Sequence, residues 1–182
     1  MSQKNSTTYT SVAITLHWLI ALLIFVVFPL GVYMHELPLS PTKLQLYSYH
    51  KWIGITVLML AALRVLWRTS HRPPALPASL PRWQQVATHA VHHSLYLLLI
   101  LIPLSGWLMS SAKGFQTVWF GIFPLPDLVA KDKALGDILQ ELHEILNFTL
   151  LGLVSLHILA ALKHHFIDHD GILKRMLSTR PQ

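Results

Sequence analysis

Four apolar runs, each near the length of a bilayer-crossing helix, constrain this sequence more than any other feature. They extend from about Ala13 to Met34, from Lys51 to between Leu66 and Arg68, from His89 to Met109 or Ser110, and from Leu142 to His164. At a rise of about 1.5 Å per residue, about 20 residues cross a hydrocarbon core of about 30 Å. A lipid interior offers backbone groups no outside partner, so such runs form helices that satisfy their own hydrogen bonds. The expected fold is therefore all-α, a four-helix transmembrane bundle forming a single membrane domain over residues 1–182. The second run is the shortest, and Arg64 and Arg68 at its end can snorkel to the interface. Charged residues are 12% of the chain, about half the usual share of a soluble protein. No internal repeat is visible.

The helices should begin before the apolar runs do. Ser40-Pro41 reads as an N-cap followed by proline at the first helical position. Ser79 with Pro81 gives a weaker start for the third helix, and Asp132 a cap for the fourth. Pro103 should kink the third helix, which membrane bundles tolerate. A signal peptide is the rival reading of the first run. No small-residue cleavage site follows it, since Gly31-Val32-Tyr33-Met34-His35-Glu36 comes next.

Orientation follows from lysine and arginine. An even number of spans puts the N-terminus, the loop after the second helix and the C-terminal tail on one side. That side carries nine basic residues: Lys4, Arg64, Arg68, Arg72, Arg82, Lys163, Lys174, Arg175 and Arg180. The other carries five, largely offset by acidic residues. The asymmetry predicts that both termini are cytoplasmic. It also explains the net charge of +6 without any nucleic-acid partner. The outer loop, Ser110 to about Lys131, holds Phe115, Trp119, Phe120 and Phe123. These read as an interfacial aromatic belt, with a lid over a site as the alternative.

The chain has no cysteine and 12 histidines. Disulfides, thiolate metal sites, iron–sulfur clusters, thiol catalysis and covalent haem attachment through C-x-x-C-H are excluded. Histidine within a membrane span is costly and usually functional. His143 and His157 are 14 residues apart on one helix, about 21 Å along its axis and about 40° around it. Two imidazoles on one face at opposite depths suit two stacked metal centres rather than one shared zinc ion. Depth supplies partners: His50 lies level with His143 toward the outside, and His17 level with His157 toward the inside. Bis-histidine ligation of a planar cofactor between facing helices is a common use of a bundle core. Arg64, 14 residues after His50, falls near the inner pair, where a guanidinium can meet haem propionates. The rival is a snorkelling topological arginine. Gly54 and Gly152 would let a flat group, or simply a neighbouring helix, approach the backbone. His89, His92 and His93 on the third helix remain rivals for the inner position, or could bond a propionate, handle protons or meet a quinone. His92 shares a face with Tyr96.

The chain resembles the bacterial cytochrome b561 family, which groups with hydrogenase-type cytochromes b. The features that carry the resemblance are His17-Trp18, His50-Lys51-x-x-Gly54, His143-Glu144, His157-x-x-x-Ala161-Leu162-Lys163-His164-His165 and the tail Asp168-x-Asp170-x-Ile172-Leu173-x-Arg175-Met176. They span Thr10 to Met176. The resemblance implies two non-covalent b-type haems, with His17, His50, His143 and His157 as ligands, in a multi-pass protein of the bacterial inner membrane. It also implies electron transfer to or from ubiquinone, one branch taking the electrons from superoxide. Lys51 and Lys113 are the lysines that would attract that anion. The competing reading is a non-enzymatic anchor that passes electrons for a partner dehydrogenase. A histidine-based proton or metal transporter is the remote alternative, because the helix interiors offer almost no other ionisable group.

Overall fold

The computed structural model describes residues 8–77 and 80–177. It contains four long helices, α1 (Ser11–Glu36), α2 (Pro41–Ser70), α3 (Arg82–Ala112) and α4 (Lys133–Lys163). Each covers one apolar run, the fourth all but His164, and all four are long and apolar enough to cross a membrane. The transmembrane four-helix bundle is thus the fold.

Three helices start on side-chain caps. Thr10 Oγ1 accepts from the Ala13 amide at 3.3 Å, Ser40 Oγ from Lys43 at 3.2 Å, and Asp132 Oδ1 from Leu135 at 3.1 Å. Each satisfies one of the amides that a helix start leaves without a partner. The expected starts at Ser40-Pro41 and Asp132 are therefore where the structure has them. Ser79 lies outside the described residues, and α3 begins after Pro81 with no side-chain cap. Prolines stand inside two helices, Pro29 in α1 and Pro103 in α3.

Close helix packing follows chain order: α1 on α2, α2 on α3, α3 on α4. Leu98 and Ile102 of α3 and Leu150 of α4 form the buried centre, with Ile24 of α1, Leu146, Leu153 and Val154 against it. Between helices in lipid the hydrophobic drive is small, so this fit acts mainly through close van der Waals packing. Outward-facing residues such as Leu22, Phe25, Leu63, Leu97 and Leu159 are exposed, as a lipid-facing surface requires. Among the described residues α4 packs closely only on α3, leaving a slot between α4 and the α1–α2 pair.

One end of the bundle is covered by the α3–α4 loop, which folds into a small antiparallel hairpin, β1 (Val118–Trp119) with β2 (Phe123–Pro124). Its tip passes through left-handed backbone at Phe120 (φ 51°) and Gly121 (φ 71°). Glycine takes this region without cost; for Phe120 the contact of its ring with Trp52, centroids 5.4 Å apart, offsets the strain. Trp52 Nε1 donates to the Val118 carbonyl at 2.7 Å, Trp119 Nε1 to Thr56 Oγ1 at 3.3 Å, and Lys51 Nζ to the Phe115 carbonyl at 3.3 Å. Trp119 and Phe120 thus clamp the hairpin onto α2, although Phe120 stays exposed, as do Phe115 and Phe123.

At the opposite end the chain after α4 makes a π-helical turn (His164–Asp168) and a 3-10 turn (Leu173–Met176). It returns to the bundle, where Trp18 Nε1 donates to the Met176 carbonyl and Arg175 to the Ala75 carbonyl, both at 2.8 Å.

Candidate functional site

Five histidines of the helices fall into two clusters, His50 with His143 toward the hairpin end and His17, His92 and His157 toward the tail end. At the hairpin end the rings of His50 (α2) and His143 (α4) face each other with centroids 6.3 Å apart and planes at 74°. At the tail end His17 (α1) and His157 (α4) stand 6.2 Å apart at 72°. The depth argument thus selects the pairs that the fold brings together. His92 of α3 approaches His157 more closely, at 5.3 Å. His89 and His93 are exposed, with His93 Nδ1 bound to the His89 carbonyl at 2.7 Å.

Each hairpin-end imidazole lies edge-on over a glycine of the neighbouring helix. A Cβ on Gly106 would stand 3.1 Å from His143 Cε1, and one on Gly31 would stand 3.0 Å from His50 Cε1. One helical turn before each glycine is a carbonyl facing the ring. For His143 it is Ile102 O, 3.1 Å from Nδ1. For His50 it is Val27 O, which lies beside a buried Nδ1 short of standard hydrogen-bond geometry.

The Ile102 carbonyl, which can only accept, lies 3.1 Å from His143 Nδ1. A proton on Nδ1 satisfies it, with Ser105 Oγ at 2.9 Å as a second acceptor, and leaves the Nε2 lone pair for a metal. Nothing in the sequence marked Gly31, Gly106 or Ser105. A small residue on each helix was visible, but which histidine it meets depends on long-range packing.

The slot beside the hairpin-end pair is apolar, lined among others by Ile24, Val27, Phe28, Gly54, Val57 and Leu98. A Cβ on Gly54 would meet nothing within 4 Å, so Gly54 opens onto this space. Gly152 does not. It is exposed and lies nine residues from His143, about half a turn around α4. It faces away from the slot and takes no part in the site.

At the tail end Arg64 is half-buried. Its Nε donates to Tyr96 Oη at 3.0 Å, and a guanidinium nitrogen lies 3.5 Å from the Ala13 carbonyl. It has no carboxylate partner among the described residues, and its charge acts on His17, His92 and His157 together. Arg68 also stands over the Tyr96 ring, 5.5 Å from its centre.

These residues fit a haem iron. A metal held between two imidazoles needs two bonds of about 2 Å, and each nitrogen lies about 1 Å from its ring centre, giving about 6 Å between centroids. Both pairs meet that spacing, whereas His92 and His157 are too close for an iron to lie between them. An apolar slot suits the macrocycle, and an unpaired arginine suits a propionate.

A membrane bundle that presents facing imidazoles in an apolar slot belongs to the class of membrane cytochromes. Comparison with known proteins agrees. The family described as prokaryotic cytochrome b561 matches residues 8–179. Cytochrome b561 homolog 2 of Escherichia coli (strain K12) is 37% identical over 93% of this chain and 90% of its own. The probable superoxide oxidase CybB of Yersinia pestis is 29% identical over 93% of this chain and 95% of its own. The chain belongs to the prokaryotic cytochrome b561 family. It is accordingly a membrane electron-transfer protein that binds b-type haem, in a multi-pass fold of the bacterial inner membrane.

Proposed function

We propose that the chain holds two b-type haems without covalent attachment and carries electrons between its hairpin face and ubiquinone. His50 and His143 hold one haem; His17 and His157 hold the other. The single observation that carries this reading is the equal spacing of the two pairs, 6.3 and 6.2 Å, along one helix. When bound, b-type haem supplies a reversible one-electron iron couple. The chain supplies the axial nitrogens, their orientation and an apolar slot. Arg64 pairs with a propionate of the tail-end haem, held in place by Tyr96, and His92 lies beside that haem as a second polar neighbour. The chain forms one membrane domain with the hairpin outside and both termini cytoplasmic, in keeping with nine basic residues against five.

The electron donor at the hairpin face is superoxide. The name of the Yersinia pestis relative supports this choice. Two superoxide anions release two electrons as they become dioxygen, and a quinone takes two electrons and two protons to become quinol. Lys51 and Lys113, the lysines expected to attract the anion, also have structural work. Lys51 bonds the Phe115 carbonyl, while Lys113 bonds Gln140 and lies 3.9 Å from Asp137. The test is superoxide consumption by the purified, haem-loaded protein with a soluble quinone. Superoxide loss faster than spontaneous dismutation, matched by quinol formation, is expected. A rate equal to buffer would eliminate superoxide as donor, and a copurifying dehydrogenase would then favour the anchor role.

Two substitutions probe the haem surroundings. Ser105→Ala removes one acceptor from His143 Nδ1 but leaves Ile102 O. It should weaken hairpin-end haem retention by about 1 kcal/mol, roughly fivefold, measured as haem lost to excess apomyoglobin. Arg64→Leu should release the tail-end haem several times faster in the same assay, because it removes the guanidinium that Tyr96 and the Ala13 carbonyl hold beside that pair. Equal release from both sites would argue against propionate pairing.

A further inference from the structure

We propose that the end of α4 and the tail after it form a binding site for one divalent transition-metal ion of zinc's class, held by His164, Asp168 and Asp170. This site is separate from the haem pairs and does not depend on them. Each of the three residues offers one ligand atom, and all three atoms lie within 4.8 Å of one another. His164 Nδ1 is 2.6 Å from Asp170 Oδ2 and 3.0 Å from Asp168 Oδ2. Yet neither His164 Nδ1 nor Asp170 Oδ2 makes a hydrogen bond of acceptable geometry, although both atoms are buried. The side chains of His164 and Asp170 are only 12% and 9% exposed. Ligand atoms that converge in this way, two of them buried without an aligned hydrogen bond, are placed as a common cation would need them.

The backbone builds this convergence. The π-helical turn His164–Asp168 is followed by left-handed His169 (φ 50°) and Gly171 (φ 72°), which turn the chain back so that Asp170 meets His164. Wider turns of this kind recur at functional sites. Asp170 Oδ1 accepts from the Ile172 amide at 3.0 Å, which fixes the carboxylate and leaves Oδ2 for a ligand. Lys163 Nζ, 2.6 Å from Asp168 Oδ2, is the present counter-charge. It is half-exposed and can turn to water, so a dication would take its place against two carboxylates. One imidazole with two carboxylates favours zinc-type ions; calcium and magnesium prefer all-oxygen sets. The bound ion would tie the tail to α4 and so brace the Met176 carbonyl that receives Trp18, the neighbour of His17.

The experiment is calorimetric titration of the chelator-stripped, haem-loaded full chain with zinc, with elemental analysis of the product. One equivalent bound at micromolar affinity is expected. Asp170→Asn should weaken binding at least about tenfold with the haem bands unchanged. Lys163→Ala should tighten it, and His165→Asn should leave it as in the parent chain. If Asp170→Asn loses its haem bands, Asp168→Asn is judged by the same criterion. Absence of the single equivalent, or equal affinity in the parent and the aspartate variants, would overturn the site.

Discussion

His143→Leu is expected to lower the haem content of the purified chain from two per molecule to one. The remaining haem should be the tail-end one, because His157 lies about 21 Å further along α4, is faced by His17 of α1, and shares no ligand with the first site. His50→Leu should give the same single-haem protein, and His17→Leu or His157→Leu the complementary one. Two distinct difference spectra from the four variants, grouped as His50 with His143 and His17 with His157, would establish the pairing. If His92→Leu instead released the tail-end haem as fully as His157→Leu, the ligand would have to be reassigned. The 5.3 Å between the His92 and His157 rings argues against that result.

Gly106→Val should nearly abolish the hairpin-end haem without touching any ligand. A Cβ there already stands 3.1 Å from His143 Cε1, and two further methyl groups would occupy the space of the ring. Overpacking of this sort costs about 1–3 kcal/mol. The displaced imidazole would also lose its bonds to Ser105 and Ile102 and its alignment to the slot. Gly31→Val should act on His50 in the same way. Gly152→Val is the control: that position is exposed, meets nothing within 4 Å and should keep both haems. Haem-to-protein ratios after purification decide between these outcomes, and full haem in Gly106→Val would show that the close approach to His143 has no functional weight.

The bundle was legible in the sequence because its cause is local. Length and apolarity define each span, and capping residues such as Ser40 and Asp132 mark starts that the structure reproduces. The facing of His50 with His143 was legible too, since helix rise converts chain position into depth; at the inner end depth put His17 level with His157 but left His92 and His93 as rivals, and the structure brings both His17 and His92 to His157. Depth without angle misleads, however. Gly152 sits between two histidines in sequence but half a turn away from the first of them. The surroundings of each ring were out of reach for a different reason. Gly31, Gly106 and Ser105 matter only because α1 and α3 pass close to specific imidazoles, and no periodicity within one helix encodes that neighbour. The same holds for the hairpin on α2: its aromatics were visible, but the Trp52–Val118 and Trp119–Thr56 bonds join segments more than 60 residues apart in the chain.

The central claim is that one chain holds two b-type haems between four histidines. The most direct test is a reduced-minus-oxidised visible spectrum of the purified membrane protein, with the haem extracted and counted against protein. Two histidine pairs that each hold a haem give b-type bands and two haems per chain. A folded, membrane-inserted chain that shows no b-type bands, or that saturates at a single haem, would contradict it.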